Sequence, residues 1–262
     1  MTRPSVAIVL AGLLAALPLA AAGCGADDPE VPRIRKQLKS KSAPVRASAA
    51  RSAAQKGGES AKEMKDDLIE VLRSDPDSSV RCEAVVALGQ VAKESQDAIP
   101  AVVTALSDAD ATVRNRARQA VGKIGPPAAS ALPKLLEDLR KEEDPSGRWW
   151  TMAALGGLGP ASAPATADLV GLLKSDNAHL RSRAAWTLGK IGPAAAQVAP
   201  DLITALQDRD GSVRAEAADA LGLMGQAAVE AVPALQTMAK RDPIAPNRST
   251  AARALERIRG SS

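Results

Sequence analysis

Arginine returns at Arg46, Arg81, Arg114, Arg148, Arg181, Arg214 and Arg248, at intervals of 33 to 35 residues. Other residues keep the same phase. Four residues before the Arg stand Asp77, Asp110, Asp144, Asn177 and Asp210. Eight after it stand Gly89, Gly122, Gly156, Gly189 and Gly222, and eleven after it Gly125, Gly159, Gly192 and Gly225. A unit this short cannot bury its own apolar face, so such a chain has to stack its units into an elongated array.

Each unit reads as two helices. In the third, Pro100 opens a first helix at a position where its missing N–H costs nothing, and Val102, Val103 and Leu106 form its apolar face. Asp108 to Thr112 is a turn, with Asp110 placed as N-cap of a second helix. That helix carries Val113, Ala117, Ala120, Val121 and Ile124 on one stripe, and Gly125 with Pro126 ends it. Ala49, Ala84, Ala117, Ala184, Ala217 and Ala251 recur three residues after the Arg, where small side chains let neighbouring second helices approach. The composition agrees: 3 Trp and no Tyr or Phe leave Ala, Leu, Val and Ile to build thin, closely spaced layers.

The pattern D-x-x-V-R-x-x-A-A-x-A-L-G-x-I-G resembles the HEAT repeat, in particular the short bacterial variety related to phycobilisome-lyase repeats. The resemblance spans residues 32–260. It implies an all-α fold, a right-handed α-α superhelical solenoid of about seven helix pairs, with second helices lining the concave face. The end units depart, with Ala54 and Glu256 where Gly is expected, as terminal caps of a solenoid do. The fourth unit departs too, with Gly147 in place of Val and Trp149-Trp150 after its Arg.

The amino terminus reads as an address. Arg3 precedes an apolar run from Val6 to Ala22, the layout of a secretory signal peptide over residues 1–23. Its end, Ala21-Ala22-Gly23-Cys24, resembles the lipobox of bacterial lipoproteins, although the family prefers Leu where Ala21 stands. The resemblance implies a lipid on Cys24 and a membrane-anchored protein of the cell envelope. Ordinary cleavage after an A-x-A stretch is the alternative, and would give a periplasmic or secreted protein. Residues 24–31 then form a short linker before the solenoid.

Charge excludes less than it suggests. Residues 31–56 hold eight Lys or Arg and no acid, whereas residues 57–239 hold 19 basic and 25 acidic side chains. A basic first helix held near anionic headgroups and a merely solvated one both fit. The acidic middle opposes a nucleic-acid-binding stripe.

Little chemistry is available. One His and 2 Cys rule out a His-rich or multi-Cys metal site, and a Tyr acid or nucleophile is absent. No catalytic constellation, metal or cofactor site is expected. His179 reads as a turn residue, Cys82 as a small, partly buried apolar residue, and Asp66-Asp67 and Glu142-Glu143-Asp144 as helix-end acids. The ladder of Arg81, Arg114, Arg148, Arg181 and Arg214 with Asp77, Asp110, Asp144 and Asp210 reads as internal scaffolding, because stacking repeats in every unit and surface function does not.

Function is expected where units differ. The outward positions of the second helices gather Trp150, Trp186, Arg116, Lys123, Arg183 and Lys190, with Trp149 one residue away. Trp among Arg and Lys on a concave surface suits a protein-binding hot spot. Trp rings filling the space left by Gly147, Gly156 and Gly157 are the competing reading. The leading expectation is a non-enzymatic scaffold for a protein partner. A phycobilin-lyase-like protein handling a tetrapyrrole, and a nucleic-acid-binding HEAT solenoid, are the alternatives.

Overall fold

The computed structural model describes residues 28–260 other than Glu94. The segment read as a signal peptide, Cys24 included, lies outside the described residues. Among the described residues there are fifteen α-helices and no strand. Seven units follow one another. The first pairs α1 (Val31–Leu38) with α2 (Ala43–Lys56), and the second pairs α3 (Gly58–Glu63) and α4 (Lys65–Ser74) with α5 (Ser78–Val91). Then come α6 (Ile99–Thr104) with α7 (Ala111–Ile124), α8 (Leu132–Lys141) with α9 (Pro145–Leu158), and α10 (Thr166–Leu172) with α11 (Ala178–Ile191). The last two are α12 (Ala199–Ala205) with α13 (Gly211–Met224), and α14 (Val232–Arg241) with α15 (Ala245–Arg259). The fold is an all-α solenoid.

Residues 28–30, expected in the linker, pack onto the first unit. Asp28 and Glu30 both pair with Lys56, and Val31 is already buried in α1.

Second helices start at the same phase because their caps do. Asp110 accepts from the backbone N–H of Thr112 and Val113 at 2.7 and 3.2 Å, and Asp210 from Ser212 and Val213 at 2.8 and 3.3 Å. Asp77, Asp144 and Asn177 each accept one such bond, satisfying donors that the first turn leaves free. Ser42 and Ile244, in the end units, make no side-chain cap bond. Gly125, Gly159, Gly192 and Gly225 stop α7, α9, α11 and α13 at positive φ, a conformation other residues rarely take. After each stands a short 3-10 segment, such as Gly192–Val198, whose buried Ala residues close the end of the unit.

The repeated Arg does a different job from the repeated cap. It donates back to the carbonyl oxygen six residues earlier: Arg81 to Asp75 at 2.9 Å, Arg114 to Asp108 at 2.9 Å, Arg181 to Ser175 at 2.8 Å, Arg214 to Asp208 at 2.8 Å, Arg248 to Asp242 at 2.7 Å. The rest of its guanidinium reaches into the following unit. Nε and Nη2 of Arg81 hold the two oxygens of Asp108 at 2.9 and 2.8 Å, and those of Arg181 hold Asp208 at 2.7 and 2.8 Å. Arg46 holds Asp75 and Arg214 holds Asp242 in the same way. The paired acid thus lies two residues before the next unit's cap, and it also accepts the cap residue's N–H. The ladder joins units through bidentate forks, whereas Asp77, Asp110, Asp144 and Asp210 serve their own helices.

Between units the second helices meet on small residues. A Cβ on Gly89 would lie 2.8 Å from the Cβ of Ala120, and one on Gly189 2.8 Å from the Cα of Ala220. At α7–α9 the backbones touch: a Cβ on Gly157 would lie 2.2 Å from the carbonyl oxygen of Gly122. The core behind this row is Leu, Ala, Val, Ile and Met, with Leu88, Val121, Leu155, Leu188 and Leu221 fully buried at one repeated position.

Candidate functional site

The ladder stops in the middle of the molecule. In the fourth unit the ladder acid is Glu142, and it turns to Arg118 instead of Arg114. Arg118 is 2% exposed and also holds Asp138 at 3.0 Å. Glu142 lies over Gly147, where a Cβ would come within 2.5 Å of its carboxyl carbon. The missing Val of this unit therefore makes room for an acid. In the fifth unit the ladder position is Ser175, which keeps the turn by accepting from Asn177 N–H but offers no charge.

Across this fourth-to-fifth joint an aromatic stack takes over. The Arg183 guanidinium of α11 lies 3.9 Å from the ring centre of Trp149 on α9 and 4.0 Å from that of Trp186 on its own helix. Two rings thus sandwich one cation. Trp150 meets Trp149 edge to face at 4.7 Å, and the Lys190 ammonium sits 5.5 Å over Trp186. All three Trp and Arg183 are half-buried, and Lys190 is exposed.

Of the three Gly gaps, a Trp fills one. A Cβ on Gly156 would lie 2.3 Å from the Trp186 ring, whereas Gly147 accommodates Glu142 and Gly157 accommodates the Gly122 backbone. Trp186 is thereby fixed by packing. Trp149 and Trp150 border an open cavity of about 250 Å³ that Asn177 and His179 also line.

Burial pushes the Arg183 pKa down and the Glu216 carboxyl up, the neighbouring Asp219 adding to the latter shift. The Nε of Arg183 is buried without a hydrogen-bond partner, so the aromatic faces are its main compensation.

The structure gathers Trp149, Trp150, Trp186, Arg183 and Lys190. Arg116 stands apart: it bonds Gln119 at 3.2 Å and lines a separate cavity with Arg51, Cys82 and Glu83. Lys123 is exposed in the last turn of α7. His179 is exposed in the first turn of α11, its N–H donating to Asn177. Cys82 is half-buried, and burial raises its thiol above the usual 9.0. Among the described residues no group of His, Cys, Asp and Glu could hold a metal, and no helix is long and apolar enough to cross a membrane.

Two groups of residues escaped the sequence reading. The ladder acids Asp75, Asp108, Asp208 and Asp242 do recur six residues before an Arg, but the cap Asp two residues on masks them. Arg118 carried no periodic signal. Half of the eight basic residues of the first unit are answered by the second: Arg35 and Lys39 pair with Asp67, Arg46 with Asp75 and Arg51 with Glu83.

Comparison with curated proteins gives no match. Among solved structures, an engineered protein is 25% identical, with a TM-score of 0.62 over 88% of this chain and 68% of that one. The complex of CpcE and CpcF of phycocyanin lyase from Nostoc sp. PCC7120 is 21% identical, with a TM-score of 0.53 over 93% of this chain and 99% of that one. Kap121p bound to Nup53p is 17% identical, with a TM-score of 0.64, 88% of this chain covering 27% of that one. Likeness at the latter two levels of identity carries the fold alone. The family described as HEAT repeats matches residues 65–138, 132–199 and 199–262. With three quarters of its length inside those matches and the repeat geometry above, the chain belongs to the HEAT-repeat family.

Proposed function

We propose that this protein is a non-enzymatic scaffold that binds a protein partner on the second-helix face of its central units, and that it is exported and held at a membrane by a lipid on Cys24. The observation that carries the binding reading is the Trp149–Arg183–Trp186 sandwich, flanked by Trp150 and Lys190. It breaks the repeat where four other joints keep it. Large amphipathic side chains held rigid cost little ordering on association. A solved HEAT-like neighbour, Kap121p, is itself bound to a protein.

The test is a partner captured by a photo-crosslinking residue placed at Lys190, identified, purified and titrated. Trp150→Ala with Trp186→Ala is expected to weaken that complex at least tenfold while the helical spectrum stays intact; an unchanged affinity rejects the patch.

Anchoring rests on the lipobox-like Ala21-Ala22-Gly23-Cys24. The intact mass of the protein from a bacterial membrane fraction tests it. A chain beginning at acylated Cys24 supports the anchor, and an unmodified chain beginning near Gly23 or Cys24 removes it.

A further inference from the structure

Four joints of the solenoid fill the fork of a ladder Arg with a carboxylate: Arg46 with Asp75, Arg81 with Asp108, Arg181 with Asp208 and Arg214 with Asp242. Two adjacent joints do not. Arg114 spends Nη1 on the carbonyls of Asp108 and Ala109, both at 2.9 Å, and its Nε and Nη2 meet no acid. Arg148 spends Nε on the Glu142 carbonyl, and its two Nη groups meet none. These open nitrogens are not sealed from solvent: Arg114 and Arg148 are half-buried, and among the described residues the sole fully buried side-chain nitrogen or oxygen without a partner is the Nε of Arg183.

The acids near Arg114 are already engaged. Asp108 answers Arg81, Asp138 answers Arg118 and Lys134, and Glu142 answers Arg118. A cavity of about 330 Å³ opens beside Arg114. At the next joint Ser175 stands in the place of the acid, and Asp176 beside it offers its carbonyl oxygen to Arg181.

We infer that Arg114 and Arg148 form a two-pronged carboxylate site for an extended acidic segment of a partner protein. Arg114 would take one side-chain carboxylate on Nε and Nη2, as the other four forks take an Asp, and Arg148 would take the other on its two Nη groups. Adjacent packed helices lie about 8–10 Å apart, and a chain in the extended polyproline II conformation advances about 3.1 Å per residue and returns every third side chain to the same side. Two acids three residues apart therefore match the two forks. This inference rests on the scaffold reading but not on the Trp patch, since it uses a different set of side chains.

The probe is a blocked hexapeptide, acetyl-Gly-Glu-Gly-Gly-Glu-Gly-amide, titrated calorimetrically at low salt against the full chain. Its only carboxylates are the two Glu. It is expected to bind at least tenfold tighter than the same peptide with Gln, and free acetate at equal carboxylate concentration is expected not to displace it. Arg114→Gln and Arg148→Gln should each cost about a tenfold loss. Ser175→Asp supplies the missing ladder acid: it should raise the melting temperature and weaken the peptide as much as Arg148→Gln does. Equal binding of the Glu and Gln peptides, binding by neither, or displacement by acetate overturns the inference. So does a folded Ser175→Asp protein with undiminished affinity. Trp150→Ala with Trp186→Ala should leave peptide binding in place, so loss of the patch and loss of the forks give separate signatures.

Discussion

An Asp can serve this chain in two ways, and two residues of separation decide which. Asp210 caps its own helix through Ser212 and Val213, while Asp208 receives the fork of Arg181 from the unit before. The pair is nearly out of solvent, with side-chain exposures of 7% and 14%, so its hydrogen bonds are charge-assisted and poorly screened. Arg181→Gln is expected to cost on the order of 2 kcal/mol in urea unfolding, leaving a carboxylate without its partner. The Arg181 fork, ahead of the burial that opposes it, holds the Asp208 carboxyl below its usual 3.8, and Arg81 and Arg214 do the same for Asp108 and Asp242. A carboxyl with a depressed folded-state pKa adds stability that is complete above its unfolded value. That stability is lost as pH falls through the folded value. The stability these forks contribute should therefore be flat above about pH 4 and decline below it, and Arg181→Gln should shallow that decline. An acid limb unchanged by the substitution would mean that the ladder contributes nothing.

Helices come together here because almost nothing stands between them. Gly157 lies against the Gly122 backbone, and Gly89 and Gly189 lie against Ala120 and Ala220. Gly157→Ala is expected to lower stability by about 1–3 kcal/mol, because its Cβ would meet a carbonyl oxygen that belongs to a packed helix and cannot swing away. Differential scanning calorimetry checks it, and an unchanged melting temperature would show that α7 and α9 are free to separate. Much of this was legible in the sequence. The spacing of Val113, Ala117, Ala120, Val121 and Ile124 gives one buried face, and all five are buried in α7. The N-cap at Asp110 and the stop at Gly125 also stand where the pattern puts them. The 3-10 segments after the second helices were not legible, since Gly125 with Pro126 reads only as a stop and a 3-10 turn has no period long enough to detect. Nor was the Trp149–Arg183–Trp186 stack, because which outward side chains touch across a joint depends on how adjacent helices cross. Spacing alone placed Arg116 and Lys123 with the Trp; the structure sets Arg116 beside Cys82 and Glu83 instead.

At the scale of the molecule, sameness and difference are divided along the chain. Joints at either end repeat the Arg–Asp fork, and the two central joints replace it with Arg118–Glu142 and then with the aromatic stack. In an array whose stability is close to a sum of unit and neighbour terms, a joint that abandons the shared solution keeps its own for another reason, which we take to be the partner. The basic first unit has less free charge than its sequence suggests, because Asp67, Asp75 and Glu83 answer it. A lipid on Cys24, not that helix, would then supply most of the hold on a membrane. The most direct test of the account is a hydrogen-exchange footprint of the protein with its crosslink-identified partner bound. Protection is predicted over α9 and α11. Protection confined instead to the 3-10 segments, where Val229 is 58% exposed, would contradict the claim that the central second helices are the binding surface.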